Sequence, residues 1–499
     1  MRIKFLLIPV ALYLVFAAGL VFVQRPNPDE TPFSSAAITF IQHGYMGIPK
    51  GMGITSKEFD LQLDKYVYIH PPFGILAQAA WMKVFGIGLF NLRFMAVFFG
   101  LLGLLAWYKI LEKLGVDKKA ILLILIMIAL EFNYNRRGAE GRVLDIMCSA
   151  LAFSAWASYL SFREKRFAIS LFLSGACIVM SGLTHPNGII GLFGLVFLVL
   201  YYDRRNLNIK NIAVFLVPFL IGAAGWGAYI LQNVEVFKTQ IRWQYLSATG
   251  FHPGLNLQTV MYDIKSRYLL AYGYIENQGF PIYSVLPLFI LLMYFFSVVF
   301  TGINAAKTRK ESEPEAARPE RIIFALTMIC FLSLMFLSSH KWTYHLCLIV
   351  PLFAACTGIF WAGLKAGSFP KHLLTAAVII SMALSSGVNF YRFKRNSYFR
   401  DYAPYMKKIV REIRPQDTVI GPSYAGFLFG FERVSVDFNL GRENGNRPEY
   451  IIIDPEYTMV INGYKSKDPK LYAYTQKVLS AEYLIFDDGP LFKVYKLLR

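Results

Sequence analysis

Long apolar stretches separated by short polar ones occupy most of the chain up to about residue 390. An apolar stretch of roughly 17–25 residues is long enough to cross the hydrocarbon core of a membrane as an α-helix. The shorter apolar stretch at 72–88 is predicted to be a helix on the membrane surface. The pattern predicts about eleven spans, at 5–23, 90–108, 119–133, 143–161, 167–184, 188–202, 211–231, 281–301, 322–339, 344–363 and 372–391.

The pattern changes near residue 395. Helical spacing at 402–414 and 471–479 alternates with short apolar runs typical of strands. Such interleaving predicts a small α/β domain outside the membrane. We therefore predict a membrane domain over 1–394, with a first outer loop and juxtamembrane helices at 24–89, and an α/β domain over 395–499. The predicted strands lie at 418–421, 434–438, 450–453, 483–486 and 491–497.

Composition agrees with a polytopic α-helical membrane protein. Hydrophobic residues make up 56% of the 499 residues and charged residues only 17%, against about 25% charged residues in soluble proteins. The net charge of +19 could indicate nucleic-acid binding. The basic residues, however, fall in short loops between the apolar runs, which the positive-inside rule explains with a cytoplasmic N-terminus. We therefore expect no nucleic-acid partner.

The five cysteines all lie inside apolar runs and form no CxxC motif, so they indicate neither a disulfide framework nor a zinc site. The chain has no Asn-x-Ser/Thr glycosylation sequon. This favours a bacterial protein over one of the secretory pathway. We therefore expect a multi-pass protein of the bacterial inner membrane, with its C-terminal domain on the periplasmic side.

Ionisable residues beside predicted spans are candidates for function, because charges next to hydrocarbon are costly. Asp29 and Glu30 follow the first span, and His70 precedes the surface helix. The outer loop at 133–142 contains Arg136, Arg137 and Arg142. Basic residues on this side break the positive-inside pattern, which predicts an anionic ligand there.

Six short motifs lie at or near the ends of predicted spans, namely Asp29-Glu30, His70-Pro71-Pro72, Asn91-Leu92-Arg93, Val143-Leu144-Asp145, Gly182-Leu183-Thr184-His185 and His340-Lys341-Trp342-Thr343-Tyr344. Together, over roughly residues 1–365, they resemble the motifs of the GT-C glycosyltransferases. More narrowly, they resemble the branch that holds protein O-mannosyltransferases and the lipid A aminoarabinose transferase (glycosyltransferase families 39 and 83).

This resemblance implies an enzyme that moves a monosaccharide from a polyprenyl-phosphate carrier, such as undecaprenyl phosphate, on the outer face of the membrane. The acceptor would be a glycan, a lipid or a protein, and the partners would include membrane lipids. The aminoarabinose enzymes have a lysine where this chain has His70. They have Thr-Lys-Gly where it has Thr184-His185-Pro186-Asn187-Gly188. The sugar and the acceptor therefore stay open.

Transfer of a sugar to a hydroxyl or phosphate acceptor requires a carboxylate near the acceptor and cations near the departing phosphate. Asp29 is the predicted base, Glu30 its supporting residue, and Asp145 a second active-site carboxylate by the resemblance. A structural role is the alternative for each. Asp29 and Glu30 would cap the following helix, and Asp145 would stabilise a helix N-terminus beside Arg142. A divalent cation, Mg²⁺ or Mn²⁺, shared by Asp29 and Asp145 is compatible with these ligands.

The predicted phosphate ligands combine planar guanidinium groups, a lysine and polar aromatic rings. Of the two adjacent arginines in the outer loop, only one is expected to point into the site. The alternative for each arginine is contact with lipid headgroups. His185 and His340 are further candidates for the site, and a purely structural role is the alternative for them. The predicted phosphate ligands are His70, Arg136, Arg137, Arg142, Lys341, Tyr344 and His345.

A transporter or flippase that moves a lipid-linked substrate without reacting with it is the rival class. Many transporters contain related halves and ionisable groups near the bilayer midplane. No repeat is visible in this sequence, and its ionisable groups gather at the outer ends of the predicted spans. These two features favour an enzyme.

Overall fold

The computed structural model describes residues 4–49, 59–247, 256–273, 285–307, 318–338, 341–443, 445–489 and 491–498. Most of these residues are helical. The helices are α1 (Lys4–Val23), α2 (Pro32–His43), α3 (Phe73–Phe85), α4 (Leu89–Lys113), α5 (Lys118–Leu130), α6 (Phe132–Arg137), α7 (Val143–Phe162), α8 (Phe167–Thr184), α9 (Gly188–Asp203), α10 (Ile209–Ile230), α11 (Val234–Ser247), α12 (Leu257–Asp263), α13 (Val285–Lys307), α14 (Pro319–Phe336), α15 (Leu346–Gly363), α16 (Phe369–Arg395), α17 (Ala403–Glu412), α18 (Gly426–Phe429), α19 (Pro455–Lys467) and α20 (Pro469–Lys477).

Nine helices among the described residues are long and apolar enough to cross a membrane. They coincide with nine of the eleven predicted spans. The other two predicted spans are the helices α5 and α9, which have only 13 and 16 residues, fewer than the roughly 17–25 that a span needs. The stretch predicted to lie on the membrane surface is α3, an apolar helix of 13 residues.

Small residues let α9 approach α7 closely. A side-chain carbon at Gly194 would lie 2.3 Å from the Trp156 ring, and one at Gly191 would lie 2.6 Å from Ala152 Cβ. Trp156 Nε1 donates to the Gly191 carbonyl at 2.9 Å. Glycine at a helix interface permits such packing in membranes. The contact fixes the turn between α8 and α9 beside the first turn of α7.

The C-terminal residues form the predicted α/β structure around a five-stranded sheet. Its strands are β1 (Val419–Ile420), β2 (Val434–Ser435), β3 (Tyr450–Ile453), β4 (Tyr483–Asp488) and β5 (Lys493–Leu497), in the order β2-β1-β3-β5-β4. β1 pairs in parallel with β2 and β3, whereas β5 pairs antiparallel with β3 and β4. Apolar residues from α17 and the strands form its core, among them Met406, Ile409, Val434 and Val494.

The chain forms two compact units. The first contains Met1–Val21, Tyr68–Gly74 and Arg93–Tyr391, and the second contains Phe22–Val67, Ile75–Leu92 and Arg392–Arg499. Most of the first outer loop therefore belongs to the same unit as the terminal sheet. The predicted domain boundary between residues 394 and 395 stays a prediction.

Candidate functional site

Three buried side chains from distant helices meet in the first unit. Asp145 lies in the first turn of α7, His185 follows the end of α8, and His345 precedes α15. Asp145 Oδ1 is 3.6 Å from His345 Nε2 and 3.9 Å from His185 Nε2. Their three ligand atoms all lie within 4.8 Å of one another. We call these three residues the Asp–His cluster.

The hydrogen bonds around the cluster orient its members. Arg142 Nε donates to Asp145 Oδ2 at 2.8 Å. Ser338 Oγ lies 3.3 Å from His345 Nδ1, and the Asn187 backbone N–H donates to His185 Nδ1 at 3.1 Å. Within the part of the chain that the structure describes, Asp145 Oδ1 has no hydrogen-bond partner. This oxygen therefore faces the two imidazoles without a donor of its own.

A cavity of about 410 Å³ borders the cluster. His70 lies at its edge, with its ring centroid 5.1 Å from that of His185, which is in turn 5.5 Å from His345. The cavity is therefore lined by a wall of three imidazoles and by several apolar side chains. Its polar lining includes His70, His185, Asn187, Gln244, Trp342 and His345, and its apolar lining includes Ile189, Ile190, Phe193 and Leu337.

The basic outer loop packs around Tyr344. The guanidinium carbons of Arg137 and Arg142 each lie 4.0 Å from the Tyr344 ring centroid. Such cation–π contacts hold arginines in a fixed orientation. Arg137 is 4% exposed and also donates to Thr343 Oγ1 at 2.8 Å.

Glu140 is the counter-ion of this loop. It accepts hydrogen bonds from Arg136, at 2.7 Å, and from Arg137. Burial alone would raise the pKa of Glu140, but the two arginines outweigh burial and lower it to about 2. Arg136 and Arg137 thus share one carboxylate, although the Arg136 side chain is 39% exposed and that of Arg137 only 4%.

Lys341 is buried at the end of α14. Its Nζ donates to the carbonyl oxygens of Ser338, at 2.8 Å, Leu334, at 3.4 Å, and Met335. Burial lowers the pKa of Lys341 to about 8, while the nearby Asp263 acts in the opposite direction. The observed contacts of Lys341 are those of a helix C-terminal cap. Its predicted contact with phosphate stays a prediction.

Replacement of Lys341 by Met is expected to destabilise the protein by about 1–3 kcal/mol, because carbonyl groups at a buried helix end lose their donor. Thermal denaturation in detergent measures this effect. Lys371→Met is the matched control, because Lys371 Nζ donates to a single carbonyl, that of Leu364. Equal stability of the two variants would contradict the capping role.

The two acids of the first motif lie in the second unit. Glu30 is 1% exposed and completes a capping box, in which its Oε2 accepts from the Asn27 N–H at 2.9 Å. Asp29 is partly buried in the same short helical turn. The pKa of Glu456 is raised by burial, by Asp454 and by Asp29. Asp29 therefore lies within electrostatic range of α19 in the terminal domain.

The structure brings several of the predicted site residues together. Asp145, His185, His345, His70 and Arg142 are neighbours, whereas the roles assigned to all site residues stay predictions. His340 lies outside the described residues. Sequence reasoning did not select Glu140, Ser338 or Glu456. Glu140 was within reach, since it follows Arg136 and Arg137 at the helical spacings of four and three that pair charges.

Comparison of the sequence with known proteins gives a distant relative but no family. No family model matches the chain. An uncharacterised protein of Aquifex aeolicus (strain VF5) is 25% identical over 248 residues, which is 48% of this chain and 46% of that protein. The aligned stretch thus spans about half the length of this relative.

Two solved structures match nearly the whole chain. Both are crystal structures of ArnT from Cupriavidus metallidurans. The structure bound to undecaprenyl phosphate has 13% identity, covers 99% of this chain and 98% of ArnT, and has a TM-score of 0.60. The apo structure has 14% identity, covers 99% and 97%, and has a TM-score of 0.52. The chain therefore has the fold of ArnT, and the predicted helical membrane fold with a small C-terminal sheet domain is confirmed.

Proposed function

We propose that this protein is a membrane glycosyltransferase that takes a monosaccharide from a polyprenyl phosphate and delivers it to an acceptor on the outer face of a bacterial inner membrane. The cavity beside the Asp–His cluster is the observation that carries this proposal. The His70 ring offers an N–H donor for a phosphate, and the apolar side chains of the lining suit the adjoining prenyl chain. A lipid phosphate has both parts.

The charges around the cavity fit a departing phosphate. Arg142 lies beside Asp145, and Arg137 stacks on the same tyrosine as Arg142. When the bond between sugar and phosphate breaks, negative charge develops on the phosphate oxygens. Cations that the fold holds near this position would stabilise the transition state without reorganising. Burial of the prenyl chain adds binding energy remote from the reacting atoms.

The acceptor must lose a proton as its oxygen bonds to the sugar. Asp29 is the base that the resemblance implies, with Glu30 holding the turn that carries it. A divalent cation with Asp145 among its ligands would belong to the same proposal. The likeness to ArnT, whose structure contains undecaprenyl phosphate, supports a C55-type carrier as the donor lipid.

Replacement of His70 by Ala is expected to weaken binding of undecaprenyl phosphate roughly 10–100-fold, because a hydrogen bond to a charged group contributes about 1.5–3 kcal/mol. Binding of the lipid to the purified chain in detergent, followed by tryptophan fluorescence or calorimetry, measures this. His372→Ala is the control, because His372 is exposed at the start of α16. Unchanged affinity in His70→Ala would exclude phosphate binding at this wall.

A deletion strain tests the reaction itself. Mass spectrometry should show a lipid-linked sugar that accumulates and a glycan, lipid or protein that lacks this sugar. An unchanged set of envelope glycans and carrier lipids would overturn the proposal. Transport without transfer predicts a different result, in which the purified chain moves the labelled carrier across vesicles and releases no free polyprenyl phosphate.

A further inference from the structure

We infer that the Asp–His cluster binds one divalent transition-metal ion, and that zinc is the ion that best fits its donor atoms. Only the catalytic role of the ion rests on the proposed function. The site itself follows from the positions of Asp145, His185 and His345.

The distances in the cluster suit a small ion. Ligand atoms about 2.0–2.1 Å from a tetrahedral zinc lie about 3.3 Å from one another. Asp145 Oδ1 is 3.6 Å from His345 Nε2 and 3.9 Å from His185 Nε2. The two separations from Asp145 thus exceed the ligating value by only about 0.3 and 0.6 Å, and all three atoms lie within 4.8 Å of one another.

The state of Asp145 points to a cation in the same place. The residue is 4% exposed, and its Oδ1 has no hydrogen-bond partner among the described residues. A buried carboxylate oxygen without a partner is costly. Arg142 neutralises the carboxylate through Oδ2 and leaves Oδ1 directed at the two histidines. A metal ion between them would satisfy this oxygen.

The donor atoms select the class of ion. Mg²⁺ prefers oxygen ligands throughout, whereas imidazole suits zinc and related transition metals. Two imidazoles and one carboxylate also match the three protein ligands of several catalytic zinc sites, which leave a further position for a ligand. The spacing of the cysteines did not indicate this site, because its proposed ligands are two histidines and an aspartate.

The hydrogen bonds rank the ligands. His345 Nδ1 can donate to Ser338 Oγ, 3.3 Å away, which leaves the Nε2 lone pair facing the cluster, as is usual for metal-binding histidines. His185 differs, because its Nδ1 accepts from the Asn187 N–H. Its ring proton is therefore on Nε2 and must leave before that nitrogen binds an ion. Asp145 and His345 are thus the stronger ligands, and His185 is the weaker third.

The neighbouring cavity gives the ion a role under the proposed function. Both histidines line this cavity, so a phosphate in it would lie next to the ion. A bound zinc would act there as a Lewis acid toward the developing charge of the phosphate.

Metal analysis of the full-length chain tests the inference. The protein is purified in detergent with an affinity tag that contains no histidine, and its metals are quantified by mass spectrometry. We expect about one zinc ion per chain. Chelation should lower the melting temperature, and added zinc should restore it, because a ligand that binds only the folded state stabilises it. The inference would be overturned if the purified chain contained no transition metal and its melting temperature did not change when zinc is added.

Single variants test the ranking of the ligands. Ser338 is the hydrogen-bond partner of a ligand, and loss of such a partner lowers metal affinity roughly 10–100-fold, so Ser338→Ala should fall within that range. His345→Asn removes a ligand itself and should lower zinc affinity by more than this. His185→Asn should lose less affinity than His345→Asn. His372→Asn, which changes an exposed histidine, should keep full occupancy. Equal occupancy in His345→Asn and His372→Asn would exclude the cluster as the site.

Cobalt provides a readout that does not depend on the folding of a variant. The chelated wild-type protein, loaded with Co²⁺, should show the intense visible absorption of tetrahedral coordination, and zinc should displace it. A spectrum that shows nothing beyond the weak absorption of hydrated cobalt would count against the site. None of these measurements requires a sugar. A metal-bound chain that transfers nothing would overturn the proposed function alone, and a metal-free chain that transfers sugar would overturn this inference alone.

Discussion

Replacement of Asp29 by Asn is expected to lower sugar transfer by about 10²–10⁴-fold, the contribution that a positioned general base typically makes. The amide has the shape of the carboxylate but cannot accept the acceptor's proton. The change should leave the fold intact, since the capping bonds of this turn involve Asn27, Glu30 and the Asp29 backbone N–H. Transfer is measured as the initial rate in membranes from a deletion strain that carries the variant.

Asp60→Asn is the matched control, because Asp60 is an exposed acid of the same outer loop. It should retain the wild-type rate. Asp29→Asn should also bind undecaprenyl phosphate as tightly as the wild type, since the base acts on the acceptor. Full activity of Asp29→Asn would remove the residue from the mechanism.

Replacement of Glu140 by Gln is expected to destabilise the protein by about 3–5 kcal/mol, the usual cost of removing one partner of a buried ion pair. The Glu140 side chain is 5% exposed and pairs with Arg136 and Arg137, of which Arg137 is buried as well. Neutral glutamine would leave the Arg137 charge without its counter-ion. Unfolding in mixed detergent micelles measures the loss.

Glu112→Gln is the control for this change. Glu112 pairs with Lys109 at the same spacing of three residues, but the two side chains are 35% and 51% exposed. An exposed pair contributes about 0–1 kcal/mol, so this variant should be close to the wild type. Similar losses in the two variants would show that burial of Glu140 does not govern its contribution. The double change Arg137→Met with Glu140→Gln should recover part of the stability, because the unpaired charge is then gone.

Most of the helical scaffold follows from the sequence, because apolar length is a local property. The first span was predicted at 5–23, and the structure has α1 at Lys4–Val23. The two short helices α5 and α9 show the limit of this reasoning. Both are apolar, but length decides whether a helix spans. The helix α5 stops before Glu131 and α9 starts after Asn187, two polar residues that interrupt the apolar stretches.

The terminal domain shows a second limit. All five strands were predicted, since short runs of β-branched and aromatic residues are a local signal. The helix α19 was not predicted, and it contains Asn462-Gly463, a pair that normally marks a turn. The Asp454 cap and the burial of Tyr457 and Ile461 outweigh that preference. The order of the strands also needed the structure, since pairing depends on contacts that local patterns do not contain.

The sequence by itself determined the class of protein, the position of its helices and most of the residues that could carry chemistry. Apolar length, the distribution of lysine and arginine, and six short motifs are all written along the chain. Only the tertiary structure decided which of these residues meet. Asp145, His185 and His345 are separated by 40 and by 160 residues along the chain, and they meet because tertiary packing brings the start of α7, the end of α8 and the start of α15 together. Likewise, spacing along the chain could have paired Glu140 with Arg136 and Arg137, but the burial of Glu140, Arg137 and Lys341 is decided by the tertiary structure.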